Sequence, residues 1–190
     1  MSSKSKTLPR SFYARDTVTV ARALLGKIIR HGETSGRIIE TEAYLGIGDA
    51  AAHAAAGITP RTRVIFGPPG HAYVYLNYGI HCCLNLVAEP EGVAGCVLIR
   101  ALQPLTGIAE MRERRGLERI AQLASGPGKL TKALGINLLH NGVDVTHGPI
   151  LILDDGARVR EIGVSQRVGI SKAKEALLRY FDAKNALFVS

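Results

Sequence analysis

Residues 72–87, AYVYLNYGIHCCLNLV, read as two short strands, 72–76 and 82–87, linked through Asn77-Tyr78-Gly79. Asn and Gly suit a tight reversal, because both tolerate the left-handed backbone that it requires. The pair is therefore predicted to be a hairpin with Tyr78 at its exposed tip. Upstream, residues 27–29 start a strand, a turn at 32–36 follows, and residues 37–44 (RIIETEAY) form the next strand. Strict alternation along that strand places Ile39, Thr41 and Ala43 on one face, and Glu40, Glu42 and Tyr44 on the other. Downstream, Glu89-Pro90-Glu91-Gly92 turns the chain into a strand over 95–102, with Arg100 set among Val97, Leu98, Ile99, Ala101 and Leu102. Helices are expected over 17–25 (closed by Gly26), 107–115, 117–124 and 172–180, with a short helical turn at 50–56 and a further strand at 150–153. Strands in hairpin order with helices around them predict an α+β fold on a mostly antiparallel sheet.

The chain has 190 residues, 24 Lys+Arg against 16 Asp+Glu, and a formal charge of +8. With 46% hydrophobic residues it does not have the composition of a disordered chain. Its length suits one domain, expected over residues 12–190 behind a flexible basic tail at 1–11. No apolar run approaches the ~18 residues of a membrane span, and the opening MSSKSKTLPRSFYARD lacks the apolar core of a secretory signal. Cys82, Cys83 and Cys96 make no disulfide framework, so a reducing cytoplasm is expected, with nucleoid association if the source is bacterial.

The charge is unevenly spread. Residues 1–30 hold seven basic groups and one acid, whereas 31–100 hold four and six. Between Asp49 and Glu89 there is no carboxylate, only Arg61 and Arg63, with His53, His71, His81, Tyr73, Tyr75 and Tyr78 interleaved. Cations and aromatics without acids suit a polyanion that carries stackable bases, although a half-buried strand with ordinary tyrosines would look the same.

Glu40 and Glu42 share a strand face. Buried together they would raise each other's pKa, and one could act as a general base; on an outward face they would simply be solvated. Arg100 in an apolar strand needs an anionic partner, and Glu42 is the natural one. His81, Cys82 and Cys83 alternate across a strand instead of converging, and no CxxC, HxxxH or HExxH spacing occurs, so no metal site is expected. The Gly-rich SGPGKL (125–130) lacks phosphate-loop spacing, but as a turn opening a helix it could meet a phosphate of a nucleic acid.

Four separated motifs, RIIETEAYLGIGDAAAHA (37–54), TPRTRVIFGPPGHAYVYLNYGIHCCLN (59–85), VLIRALQPLTG (97–107) and SGPGKLTKALGI (125–136), resemble the alkyladenine (3-methyladenine) DNA glycosylase family. The resemblance runs from about residue 16 to about residue 170 in the family's order. It implies a compact α+β domain around a curved antiparallel sheet. It also implies a monofunctional glycosylase that flips damaged purines, alkylated or deaminated, out of double-stranded DNA and hydrolyses the N-glycosidic bond without a cofactor, as a monomer. By position, the resemblance makes Glu42 the general base and Arg100 the support for glutamate and water. Tyr44, His53 and Tyr75 become walls of the base pocket, Asn85 the residue that crowds the 2-amino group of guanine, and Tyr78 the side chain pushed into the duplex. Arg61, Arg63 and Lys129 are expected on the DNA backbone. Asn77 and His81 stand where apolar or aromatic residues are frequent, and EALLRYFDAKNALF (175–188) lacks a tryptophan often found there.

Two other readings remain in view. A non-catalytic nucleic-acid-binding module would share the basic surface, but it has no use for a buried carboxylate facing DNA. A lyase that attacks through an amine needs a lysine, and residues 28–128, which hold every proposed pocket residue, contain none; Lys129 alone could approach.

Overall fold

The computed structural model describes residues 5–189. In chain order the elements are β1 (Lys6–Thr7), α1 (Arg10–Tyr13), α2 (Thr17–Leu24), β2 (Ile28–His31), β3 (Thr34–Tyr44), β4 (Ala72–Asn77), β5 (His81–Val87), β6 (Cys96–Thr106), α3 (Ile108–Arg115), α4 (Ile120–Leu123), α5 (Pro127–Leu134), β7 (Ile150–Asp154), β8 (Ile162–Ser165) and β9 (Arg179–Asp182). Short 3-10 turns lie at His53–Ala56, Arg63–Phe66, Leu138–His140 and Ala183–Asn185.

The strands form one antiparallel sheet in the order β1-β7-β2-β3-β6-β5-β4, with β9 on β3 and β8 on β9. β3 is the pivot. One edge pairs with β6 along its length, while the other is shared by β2 in its first half and β9 in its second. That fork curls the sheet into a half-barrel, so the fold is α+β in a single compact domain. The core lies between the sheet and the helices. Val20 and Leu24 of α2, Met111 of α3 and Leu130 and Leu134 of α5 pack with Ile29, Ile38, Leu84, Ile99 and Ile152. Each such side chain contributes about 1.5–3 kcal/mol on burial. Asp16 starts α2 by accepting the Thr19 N–H at 2.9 Å.

The β4–β5 hairpin is as expected, with Tyr78 82% exposed at its tip. Four expectations are corrected. The tail expected over 1–11 is structured from Lys6 onward: Lys6 pairs with Asp154, Leu8 is buried, and Arg10 begins a helical turn. Residues 1–4 lie outside the described part. The helix expected over 117–124 shrinks to Ile120–Leu123. The helix expected over 172–180 is absent: that stretch runs through bends and turns into β9, and the Leu178 carbonyl accepts the Ala43 N–H at 2.9 Å. Local helix propensity there yields to the unpaired edge of β3, which needs a strand.

The strict alternation of β3 fails as well. Pairing with β6 slips between Ile38 and Glu40, and slips back between Glu40 and Thr41, so Ile39 and then Arg100 are extra residues in facing bulges. Ile38 and Ala43 thus join the core and Thr41 donates to the Ala21 carbonyl of α2, whereas Glu40 and Glu42 keep the opposite face.

Candidate active site

Alternation in the other strands builds a cleft on the sheet face away from the helices. Ala72 and Val74 of β4, Leu84 and Leu86 of β5, and Val97 and Ile99 of β6 enter the core. Their neighbours Tyr73, Tyr75, Cys83, Asn85, Cys96, Leu98 and Arg100 line a cleft of about 510 Å³. That volume suits a small aromatic ligand. Tyr44, His53 and Tyr78 complete the walls, together with Pro127 at the start of α5 and the segment 168–172.

Glu42 sits behind the cleft floor, fully buried. Its Oε1 accepts the Val168 N–H at 2.7 Å and lies 3.2 Å from Arg100 NH1, and its Oε2 accepts the Tyr44 hydroxyl at 3.0 Å. Burial raises the Glu42 pKa; Arg100, the Val168 N–H and the Tyr44 hydroxyl oppose that rise, and Glu40 adds to it. A buried carboxylate of raised basicity, tethered but ionisable, is what a general base requires. Arg100 does not serve Glu42 alone, as the sequence suggested, because its Nε donates to Glu40 at 2.9 Å.

The aromatic wall is ordered by its own contacts. The rings of Tyr73 and Tyr75 stack at 5.4 Å, and His53 meets Tyr75 edge-on at 4.6 Å. Arg61 NH2 lies 3.4 Å from His53 Nε2, and His53 Nδ1 lies 3.0 Å from the Tyr73 hydroxyl. Arginine only donates, so Nε2 accepts and the ring proton rests on Nδ1. Burial and then Arg61 lower the His53 pKa, which agrees with that neutral tautomer. Asn85 donates to the Tyr73 carbonyl at 3.2 Å, which fixes its amide. Burial raises the Cys83 pKa and pushes Cys96 up to about 12, so both cleft thiols stay protonated and neither is a nucleophile. Among the described residues, no group of three or more His, Cys, Asp or Glu side chains could hold a metal ion.

A sequence model of methylpurine-DNA glycosylase (MPG) matches residues 11–186. The chain belongs to the methylpurine-DNA glycosylase family. It is 49% identical over 191 residues to a Methanoculleus marisnigri protein named "Putative 3-methyladenine DNA glycosylase", across 97% of this chain and 98% of that one. Proteins of the same name from Chlorobaculum tepidum and Rhodopseudomonas palustris are each 48% identical, across 94% and 96% of this chain and 88% and 87% of theirs. As a member of this family the protein is a DNA glycosylase, a hydrolase of DNA repair.

The glycosylase cleft gathers Tyr44, His53, Tyr75, Tyr78, Asn85 and Arg100, with Glu42 beneath them. Arg61 is exposed but spoken for, its guanidinium 5.1 Å from the Tyr75 ring centre. Arg63 and Lys129 are exposed and do not line the cleft, although Lys129 lies in the first turn of α5, beside Pro127, which does. The hairpin and α5 are in close contact: a Cβ at Gly128 would stand 2.8 Å from the Cβ of His81, so only glycine fits.

Sequence reasoning missed several residues of the site. Lys172 lines the cleft, so Lys129 is not the one lysine within approach. Arg167 forms a buried ion pair with Asp49 at 2.5 Å and places its guanidinium 4.7 Å from the Tyr44 ring centre. That pair clasps the loop before His53 to the segment that supplies the Val168 N–H. Nothing local in the sequence joins partners 118 residues apart.

Proposed function

We propose that the protein flips alkylated or deaminated purines out of double-stranded DNA and hydrolyses their N-glycosidic bond, as a monomer, with a water activated by Glu42. The observation that carries this reading is the buried Glu42 carboxylate, beside Arg100, under an aromatic cleft whose rim bears the exposed Tyr78. Taking a base out of the stack costs a few kcal/mol, and a flat side chain such as Tyr78 offsets it by filling the gap. An alkylated purine is cationic, and desolvated contacts with the faces of Tyr44 and Tyr75 are worth up to ~2 kcal/mol. Asn85 excludes guanine by crowding its 2-amino group. Arg61, Arg63 and Lys129 neutralise phosphates.

In the chemical step the C1′–N bond breaks and its electron pair leaves with the purine. A cationic alkylated base therefore departs neutral, whereas a deaminated base departs as an anion and takes up a proton from solvent. Positive charge that builds on the sugar is stabilised by the Glu42 carboxylate. Water forms the new bond to C1′ and gives its proton to Glu42, and Arg100 orients both. Water is the only co-reactant that the step requires. The three free thiols support a reducing compartment.

Glu42→Gln tests the assignment, because the swap keeps shape and removes the base. Duplexes with an alkylated or a deaminated purine are assayed for free base and for alkali-labile sites. Turnover should fall by about 100-fold or more with DNA affinity unchanged. Turnover within about tenfold of the wild type would overturn the assignment and turn attention to Glu40. Strand breaks that precede alkali would point instead to attack by an amine, with Lys172 the residue to test.

A further inference from the structure

Glu40 is fully buried two residues before Glu42 on the same strand face, and nothing in the proposed step uses it. One guanidinium reaches both carboxylates: Arg100 Nε donates to Glu40 Oε1 at 2.9 Å, and Arg100 NH1 lies 3.2 Å from Glu42 Oε1. A second arginine also holds Glu40. Arg179 Nε donates to the same Oε1 at 2.6 Å, and Arg179 NH1 donates to the Ser165 hydroxyl at 3.0 Å. Arg179 is also the register partner of Glu42 across β3 and β9. The facing bulges at Ile39 and Arg100 lie at this crossing, where β9 pairs with β3.

We propose that Glu40, held by Arg179, is a positioning residue that divides Arg100 between two carboxylates and thereby keeps Glu42 fit to act as a base. Undivided, Arg100 would turn its guanidinium fully onto Glu42, and a carboxylate locked in a tight ion pair is a poor proton acceptor. Glu40 draws the Nε away. Arg179 shares the Glu40 Oε1 with Arg100 and so limits how much of Arg100 Glu40 can draw to itself. The other groups that face Glu42 are the Tyr44 hydroxyl on its own strand, and the Val168 N–H and Arg167, itself paired with Asp49, on the segment packed against it. Their hydrogen bonds and ion pair run to Glu42 or Asp49 and not to Glu40. The raised Glu42 pKa, to which Glu40 contributes, agrees with this division.

The inference rests on Glu42 being the base, and its test separates the two ideas. Single-turnover excision of a deaminated, uncharged purine is followed against pH, so that the acid limb reports the base. Glu40→Gln should move that limb toward acid by about half a pH unit or more, because Arg100 then goes to Glu42 and a like charge is lost. Arg179→Gln should move it toward alkali, because Glu40 then takes more of Arg100, and Arg179→Lys should bring it back toward the wild type. An unmoved limb, a shift of both Gln variants in the same direction, or an equal loss of rate at every pH would overturn the proposal and leave Glu40 a structural counter-charge. If Glu40→Gln does not fold, the Arg179→Gln and Arg179→Lys pair decides alone. Glu42→Gln in the same series keeps the failures apart: retained activity there removes the base itself, whereas a dead Glu42→Gln beside unmoved limbs removes only the division of Arg100.

Discussion

Tyr78 holds a backbone φ of 50°, and Gly79 after it has a φ of 71°. For a tyrosine the left-handed region costs roughly 1–2 kcal/mol, and this one buries almost nothing in return. Strain at a position that gives the free protein no packing points to a task outside the protein. Tyr78→Ala should therefore leave the melting temperature nearly unchanged, and Tyr78→Gly should raise stability by about 1 kcal/mol. Excision of well-paired lesions should fall more in both variants than excision of mismatched ones, whose unstacking is already cheap. Equal losses on all substrates together with a marked drop in melting temperature would instead make Tyr78 a packing residue.

At the scale of elements, two histidines fasten the end of β2 to the 3-10 turn that follows α5. His31 Nδ1 donates to the Leu134 carbonyl at 2.8 Å, which leaves its Nε2 to accept from His140 Nε2 at 3.1 Å. His140 Nδ1 in turn accepts the Asn137 N–H at 3.1 Å. Only a neutral His140 can hold both bonds. Burial and then the His31 ring lower its pKa in the folded state, so its contribution is whole above the unfolded value of about 6.5 and is lost as pH falls from there. The gap in melting temperature between wild type and His140→Ala should be widest above about pH 7 and close on acidification. A gap that is constant down to about pH 5 would show that the ring acts by packing alone. Loss of the Asp155 pairing belongs to a separate window, since Arg37 holds that carboxyl at about 2 and its contribution fades only below about pH 4.

The whole molecule carries a formal charge of +8, and the cleft opens beside the hairpin and the first turn of α5. A surface of this kind binds a polyanion by releasing counterions, so log affinity should fall with log salt at about −0.9 per phosphate contacted. Removing Arg63 or Lys129 should make the slope shallower by about one each, without selecting among lesions. Arg61→Ala should behave differently, because Arg61 also lies over Tyr75 and against His53. It should change the slope and the excision rate together. A flat salt dependence would mean that the positive charge serves solubility rather than DNA.

The sequence by itself placed Tyr44, His53, Tyr75 and Asn85 in a pocket only through its resemblance to a family. Its local patterns determined the strands around Tyr78, Glu42 and Arg100, and with them the α+β class. Those features follow from turn residues and period-two patterns, which are local and survive in a short window. The tertiary structure alone decided the rest. Ile39 and Arg100 became bulges only because two particular strands met in one register, and no periodicity in either strand announces that. Residues 172–180 have helix-forming side chains, yet they lead into β9 because an open edge of β3 outweighs a propensity of tenths of a kcal/mol per residue. Arg167 and Arg179 lie more than a hundred residues from the carboxylates that they hold. A buried charge takes whatever partner the fold brings to it, and that choice is made in space, not along the chain.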